Sequence, residues 1–216
     1  MIVVNSLESY IEYEDYVIQF ERELYLPSFP NENEREPFNL IIERIKHGTA
    51  PYTDIILEIE DDKVIAGCIS DYYPSCKSIE PIYLVVREEY RKQGYAGKLL
   101  NEAFKLYDNI SDIYVEVDNP KFVSSNDSAI NPDTRIKIYE KLGFKMLDFN
   151  YVQPPLDKGL DYEYNLRLMH KSKDNKITKE RLIDFLENFY EGLNYKDPPV
   201  LQDIVKEIQN KKEVQA

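Results

Sequence analysis

The chain has 216 residues, of which 43% are hydrophobic, and its formal net charge is -13. That length allows one substantial core with an appendage, and no stretch reaches the roughly 20 apolar residues that a membrane-spanning helix needs. Residues 171–216 hold 9 basic and 9 acidic residues, so the acidic excess lies entirely in residues 1–170. Such a charge repels nucleic acids and anionic lipids and favours cationic ligands. We therefore expect neither nucleic-acid nor membrane partners.

The cysteines and the first residues bear on the cellular compartment. Cys68 and Cys76 stand in no CxxC motif or Cys/His cluster, so we expect neither a disulfide framework nor a metal site. The beginning, MIVVNSLESY, lacks the basic start and apolar centre of a signal peptide. The sequence therefore predicts a cytoplasmic protein with ordinary thiols.

The first third of the chain predicts two helices and a hairpin. Helical spacing of apolar residues runs over about 9–26, and a second helix is predicted over about 37–46. Two β-rich runs between residues 53 and 73 meet at Asp61 and Asp62, which predicts an antiparallel hairpin. These elements are typical of helices that cover a sheet.

Strands and helices then alternate through the middle of the chain. A nearly continuous apolar run at 80–86 predicts a central strand buried on both faces. The further predictions, in chain order, are a helix over 97–109, a strand over 112–118, a helix over 133–143 that ends at Gly143, and strands over 144–149 and 162–169. Interspersed helices and strands predict a mixed α/β (α+β) fold.

The sequence pattern changes from strands to helices beyond His170. Thr178 and Gly192 fit the beginning and end of one helix, and Asp197 with Pro198 fits the beginning of another. We therefore predict a domain over residues 1–170 and a C-terminal helical extension over 171–216. The extension either docks on the core or mediates self-association, including a homodimer.

The stretch RKQGYAGKLL, residues 91–100, concentrates small residues between a predicted strand and a predicted helix. Such a turn leaves backbone N–H groups at the helix N-terminus open to a phosphate, and the helix dipole favours negative charge there. Glycines before a helix also form plain turns. The spacing is neither the GxGxxG of dinucleotide-binding folds nor the GxxxxGK of a P-loop.

Two motifs together resemble the GCN5-related N-acetyltransferase (GNAT) superfamily. R91-K-Q-G94-Y-A96 is similar to its Arg/Gln-x-x-Gly-x-Gly/Ala signature, and IYEKLGFKML, residues 138–147, is similar to its Tyr-Glu-x-x-Gly-Phe signature. The resemblance covers about residues 50–170 and is to bacterial-type members. It implies a mixed, mostly antiparallel central sheet flanked by helices, and acetyl-CoA as the acyl donor.

The resemblance also implies a cofactor site. Main-chain groups of Val85 and Val86 would face the pantetheine arm and the thioester carbonyl. Asn131, like Asn119, stands where members often place a cofactor-contacting asparagine, although either residue equally suits a cap or a turn. The pyrophosphate would lie on the backbone N–H groups of Arg91, Lys92, Gln93, Gly94, Tyr95, Ala96 and Gly97.

Acetyl transfer to an amine also needs a base for the amine and an acid for the leaving thiolate. By resemblance, Tyr139 is the candidate acid, with aromatic packing on the sheet as the alternative. Glu80 is the candidate base, directly or through a water, with a solvated strand-start carboxylate as the alternative. Glu116 is a second carboxylate that could reach the cleft, and Glu34 in the acidic turn could attract an amine; we take both as candidate substrate-binding residues.

The sequence therefore predicts an acetyl-CoA-dependent N-acetyltransferase that acts by direct transfer on a primary amine. The acceptor would be a cationic small molecule or a peptide or protein lysine. A second hypothesis is a non-catalytic GNAT-fold protein that binds acyl-CoA or regulates a partner. The residues 119–134, longer than the compact family pattern, form either a lid or a surface insertion.

Overall fold

The computed structural model of the protein describes residues 1–31, 35–123 and 131–215. The chain divides into two compact units. The first unit comprises Met1–Tyr72 and Ile79–Ile110, and the second comprises Tyr73–Ser78 and Ser111–Ala216. Glu34 and residues 124–130, which are part of the predicted lid or insertion, lie outside the described residues.

The first unit is built on strands in the order β1-β2-β3-β4, with helices α1 to α4 between and after them. The strand β1 was not predicted from the sequence, whereas the hairpin of β2 and β3 was. The bounds are β1 Ile2–Val4, β2 Tyr52–Glu60, β3 Lys63–Tyr73, β4 Ser78–Val86, α1 Leu7–Phe20, α2 Leu26–Ser28, α3 Phe38–His47 and α4 Tyr95–Lys105.

Local chemistry explains where several of these elements begin and turn. Ser6 caps α1, because its hydroxyl accepts from the Ser9 backbone N–H at 3.2 Å. The β2–β3 turn places Asp61 and Asp62 at φ of 48° and 59°, the left-handed geometry of a tight hairpin turn that Asp tolerates. The predicted first helix is interrupted, since a π-helical turn over Glu21–Tyr25 follows α1.

An aromatic core fills the space between this sheet and helices α1 and α3. The ring of Tyr25 meets that of Tyr83 edge-on at 4.9 Å, and the Tyr25 hydroxyl donates to the Glu36 carbonyl at 2.8 Å. Phe20 and Phe38 complete this cluster. Because large aromatic side chains bury much apolar surface, they fix the N-terminal helices on the sheet. β4 is less enclosed than predicted, since every second residue from position 82 onward is only half-buried.

The second unit has strand order β5-β7-β6, and both pairings are antiparallel. The two last predicted strands are corrected: β6 has two residues, and β7 begins later and extends beyond His170. The ladder with β5 decides this, because pairing fixes strand ends more strongly than local propensity does. The bounds are β5 Asp112–Asp118, β6 Lys145–Met146, β7 Leu166–Ser172, α5 Pro132–Lys141, α6 Lys179–Gly192 and α7 Pro199–Asn210.

Helices α6 and α7 share one core with the strands of the second unit. The Tyr114 ring of β5 stacks on Phe185 of α6 at 3.9 Å, and Arg181 of α6 donates to the buried Asp112 carboxylate at 2.8 Å. The predicted boundary at residue 170 stays a prediction about independent folding, although the C-terminal helices pack here as part of a shared core.

Mostly antiparallel strands with flanking helices confirm the predicted fold class. No helix among the described residues is long and apolar enough to cross a membrane.

Candidate active site

The turn after β4 leaves the first turn of α4 without a side-chain cap. A 3₁₀ turn, Glu88–Tyr90, leads into the Gly-rich stretch, and Gly94 is the N-cap at φ 88°, a left-handed conformation that favours glycine. The first helical bond runs from the Lys98 N–H to the Gly94 carbonyl at 3.0 Å. Because glycine has no side chain to cap the helix, the N–H groups of the first turn remain available to an anion.

The other helices of the described chain divide into those with and those without a side-chain cap, and α3 and α7, whose N-caps are Pro37 and Pro198, have none. Side-chain oxygens of Ser6, Asn131 and Thr178 accept backbone N–H groups at the beginnings of α1, α5 and α6. The N-terminus of α4 differs from these three in having no side-chain cap, and from α3 and α7 in having a left-handed glycine at its N-cap.

Basic side chains surround the same turn. Arg91 and Lys92 are exposed, and the Arg91 Nε donates to the Val86 carbonyl at 3.2 Å, which holds the guanidinium over the end of β4. Lys98 lies 2.8 Å from Glu58 Oε1. Positive charge around open N–H groups favours a phosphate further. We call residues Arg91–Gly97 the cradle.

Two of the predicted site residues in β4, Glu80 and Val85, are enclosed. Glu80 is only 1% exposed, which contradicts the alternative of a solvated strand-start carboxylate. Val85 is buried in the aromatic core and Val86 is half-buried, so only their main-chain groups can serve a ligand. Like the cradle, these residues belong to the first unit.

Tyr139, Asn119 and Asn131 belong to the second unit. The ring of Tyr139, on α5, packs edge-on against Phe144 at 5.3 Å and is nearly buried. Asn131 caps α5 by accepting the Thr134 N–H at 3.1 Å, and Asn119 accepts the Lys121 N–H at 3.1 Å. Both side-chain oxygens thus have the local backbone roles that were the alternative to cofactor contact.

Glu116, on β5, lies in a network that the sequence did not predict. The Tyr151 hydroxyl donates to Oε1, and the Gln153 amide donates to Oε2 at 2.6 Å. Desolvation by burial raises the pKa of this carboxyl to about 7, while the two hydrogen bonds oppose the rise. The only sequence signal was the polar alternation of residues 151 and 153 within the apolar run YVQPP.

Comparison with known proteins identifies the family to which the central part of the chain is similar. Residues 53–146 match the family model described as an acetyltransferase (GNAT) domain. This match spans β2 to β6, including the cradle, Glu80, Glu116 and Tyr139. The search of curated protein sequences found no match.

Solved structures of GNAT acetyltransferases have a similar fold. A protein described as a GNAT-family acetyltransferase from Bacteroides thetaiotaomicron superposes with a TM-score of 0.66 at 18% identity, over 92% of this chain and 100% of that one. A similar fold is also found in aminoglycoside 6'-acetyltransferase type Ii, with a TM-score of 0.54 at 18% identity. The aminoglycoside 6'-N-acetyltransferase from Enterococcus faecium has a TM-score of 0.50 at 17% identity. Each of these two superpositions covers 80% of this chain and 97% of the other chain. At 17–18% sequence identity, these similarities show the fold alone.

Proposed function

Since the chain contains a GNAT acetyltransferase domain, we propose that it transfers an acetyl group from acetyl-CoA directly to a primary amine. The observation that carries the proposal is the uncapped N-terminus of α4, which lies within the matched domain. Backbone N–H groups, a left-handed Gly94 and nearby basic side chains form an anion site suited to a pyrophosphate. Acetyl-CoA carries that group as well as the acyl thioester.

Two groups of this chain handle protons in the proposed reaction. Tyr139 donates a proton to the departing thiolate of CoA. A carboxyl group, either Glu80, directly or through a water, or Glu116, removes a proton from the acceptor, because an alkylamine with a pKa of about 10.4 is charged near neutral pH. Main-chain groups of Val85 and Val86 serve the pantetheine arm and the thioester.

The proposed acceptor is cationic. The 18 basic and 31 acidic residues of positions 1–170 favour the approach of a positive ligand. The aminoglycoside acetyltransferases that have a similar fold are named for an amine-rich acceptor. A cationic small molecule is the first acceptor class to test, and a peptide or protein lysine is the second.

Isothermal titration with acetyl-CoA tests the cofactor site. Wild type should bind, and Gly94→Asp should weaken binding at least about tenfold, because it adds a carboxylate where the pyrophosphate lies. Gly159→Asp is the matched control: Gly159 has φ 89° against 88° at Gly94, and neither glycine has a neighbouring atom within 4 Å of an added Cβ.

Because aspartate would be equally strained at both positions, a loss of binding in Gly94→Asp alone would be specific to the cradle. Absence of binding by wild type would exclude the acetyltransferase proposal. Binding by wild type without acetylation of any amine, by wild type or by Tyr139→Phe, would favour the non-catalytic acyl-CoA-binding protein instead.

A further inference from the structure

Glu116 is a carboxyl group held from two sides in the second unit. Tyr151 donates to one oxygen and Gln153 to the other, the latter at 2.6 Å. Residues 151 and 153 are two apart, and in extended backbone alternate side chains point the same way. One short segment thus directs both donors at one carboxylate.

The rest of the unit fixes that segment in place. The Gln153 N–H donates to the Glu163 carbonyl at 2.9 Å, and the Glu163 N–H donates to the Gln153 carbonyl at 3.0 Å. Between the two donors, the Val152 carbonyl accepts the Tyr190 hydroxyl of α6 at 2.7 Å. The donors are therefore positioned by backbone bonds and by α6, not by their own side-chain freedom.

No cation neutralises Glu116 within the described chain. Its hydrogen-bond partners are a phenol and an amide, its cross-strand neighbour on β7 is Leu168, and the charge that acts on it is that of the acidic Glu163. On α6, the titratable group that interacts electrostatically with Glu116 is Tyr190, whose hydroxyl donates to the Val152 carbonyl. A carboxylate accepts at about four lone-pair positions, so two donors leave capacity for a further one.

We propose that Glu116, positioned by Tyr151 and Gln153, is the base that takes the proton of the acceptor ammonium in acetyl transfer. The inference rests on the proposed function and chooses between its two carboxyl candidates. Glu80 is enclosed at 1% exposure, whereas Glu116 is partly exposed. A base that titrates near the working pH is the most effective, and burial raises the pKa of Glu116 to about 7.

The proton and electron balance is complete without a further reactant. The Glu116 carboxylate takes one proton from R–NH₃⁺, and the freed nitrogen lone pair attacks the thioester carbonyl. The C–N bond forms and the C–S bond breaks. The thiolate takes the Tyr139 proton, the second proton of the nitrogen restores the Tyr139 hydroxyl, and Glu116 releases its proton to solvent after turnover.

The test compares three carboxyls by the pH dependence of turnover. Kanamycin A, spermidine and a lysine-containing peptide serve as probe acceptors, and loss of thioester absorbance is followed between about pH 5.5 and 9. The variants are Glu116→Gln, Glu80→Gln and Asp54→Asn. Asp54 is the matched control, because burial also raises its pKa to about 7 and Tyr107 donates to it as Tyr151 does to Glu116.

The expected result is specific for Glu116. In wild type kcat/KM rises with pH through a value near neutrality, and Glu116→Gln removes this rise and lowers kcat about 10²–10⁴-fold without changing acetyl-CoA affinity. Tyr151→Phe shifts the rise to higher pH, because it removes a hydrogen bond that stabilises the carboxylate. Asp54→Asn leaves the pH profile unchanged.

Other outcomes overturn the inference separately from the proposed function. A Glu116→Gln enzyme that keeps the rate and the profile excludes Glu116, and loss of the rise in Glu80→Gln assigns the role to Glu80. Where no probe amine reacts, infrared titration decides. The inference is supported by a carboxylic C=O band of wild type that titrates near neutrality and is absent in Glu116→Gln. The pH at which this band titrates should be higher in Tyr151→Phe. Absence of such a band in wild type overturns the inference. Failure of wild type to bind acetyl-CoA rejects the proposed function, and the role of Glu116 as its base falls with it.

Discussion

Two carboxyls in the molecule, the buried Asp54 and the half-buried Glu116, each accept a tyrosine hydroxyl. Asp54 of β2 accepts the Tyr107 hydroxyl at 3.0 Å, and Glu116 of β5 accepts that of Tyr151. Burial raises the pKa of each to about 7. Their expected roles differ. The raised pKa of Asp54 affects stability, whereas that of Glu116 suits the proposed catalytic base.

The first prediction at this scale concerns Asp54→Asn and the pH dependence of stability. A folded-state pKa of about 7 against an ordinary 3.8 means that the folded state binds the proton more strongly. This contribution is complete below pH 3.8 and is lost as the pH rises through about 7. Denaturant unfolding should therefore show wild type losing on the order of 1–4 kcal/mol between pH 4 and 8 from this group, and Asp54→Asn losing less.

Asp71 and Glu116 have the same sign, so the wild-type slope should not disappear entirely in Asp54→Asn. Burial raises the pKa of Asp71 to about 6 although Arg44 lies close by. A variant with the same pH slope as wild type would show that Asp54 is not protonated in the folded protein.

The second residue-scale prediction concerns Tyr139→Phe. The phenyl ring keeps the packing against Phe144. Loss of the hydroxyl should lower kcat about 10²-fold or more, because the thiolate then leaves unprotonated. Acetyl-CoA affinity by titration should be unchanged. Tyr164→Phe, at an exposed tyrosine of the same unit, is the control; equal rates in the two variants would contradict the acid role.

At the scale of elements, α6 is attached to β5 by a buried charge pair as well as by apolar contacts. Arg181 donates to Asp112, whose other oxygen lies 2.7 Å from His170 Nε2. Asp112 and His170 are each 1% exposed. Such a carboxylate depends on its partners, because an uncompensated buried charge is strongly unfavourable.

Arg181→Leu is the element-scale prediction. It leaves the Asp112 carboxylate with His170 alone and should lower the free energy of unfolding by about 1–3 kcal/mol, less than for a fully buried pair because Arg181 is partly exposed. Lys206→Ala removes an exposed pair with Asp203 on α7 and should produce no measurable change in the free energy of unfolding. Equal effects of the two substitutions, measured by urea unfolding, would refute a structural role of the Arg181 pair.

At the scale of the whole molecule, the chain folds into two units with separate aromatic cores. The second core takes residues from β5, β7, α6 and α7 together, including Tyr114, Phe185 and Ile208. Removing α6 and α7 would therefore expose one face of the strands. This packing makes the boundary predicted at residue 170 directly testable.

A chain ended after Ser172 provides that test. Because Tyr114 and Leu168 would lose the side chains that bury them, we expect no cooperative unfolding transition for the second unit. Circular dichroism during urea unfolding, compared with full-length protein, measures this. A truncated chain that unfolds cooperatively and binds acetyl-CoA would instead establish residues 171–216 as an independent extension.

The sequence by itself determined the elements and the chemistry that depend on local pattern. The hairpin turn at Asp61 and Asp62, the cradle before α4 and the cap at Thr178 follow from residue types at fixed spacings, which act within a few residues. The resemblance to GNAT acetyltransferases was predicted from two short motifs and is confirmed for residues 53–146, which match that family model.

The tertiary structure alone decided which distant groups meet. Glu116 is separated from Tyr151 by 35 positions, and Arg181 from Asp112 by 69. No local pattern specifies such pairs, because they arise from strand register and from the packing of α6 on β5. Burial is decided at the same level: Glu80 and Asp54 look like ordinary strand carboxyls in the sequence, and only the surrounding core removes them from water and changes what they can do.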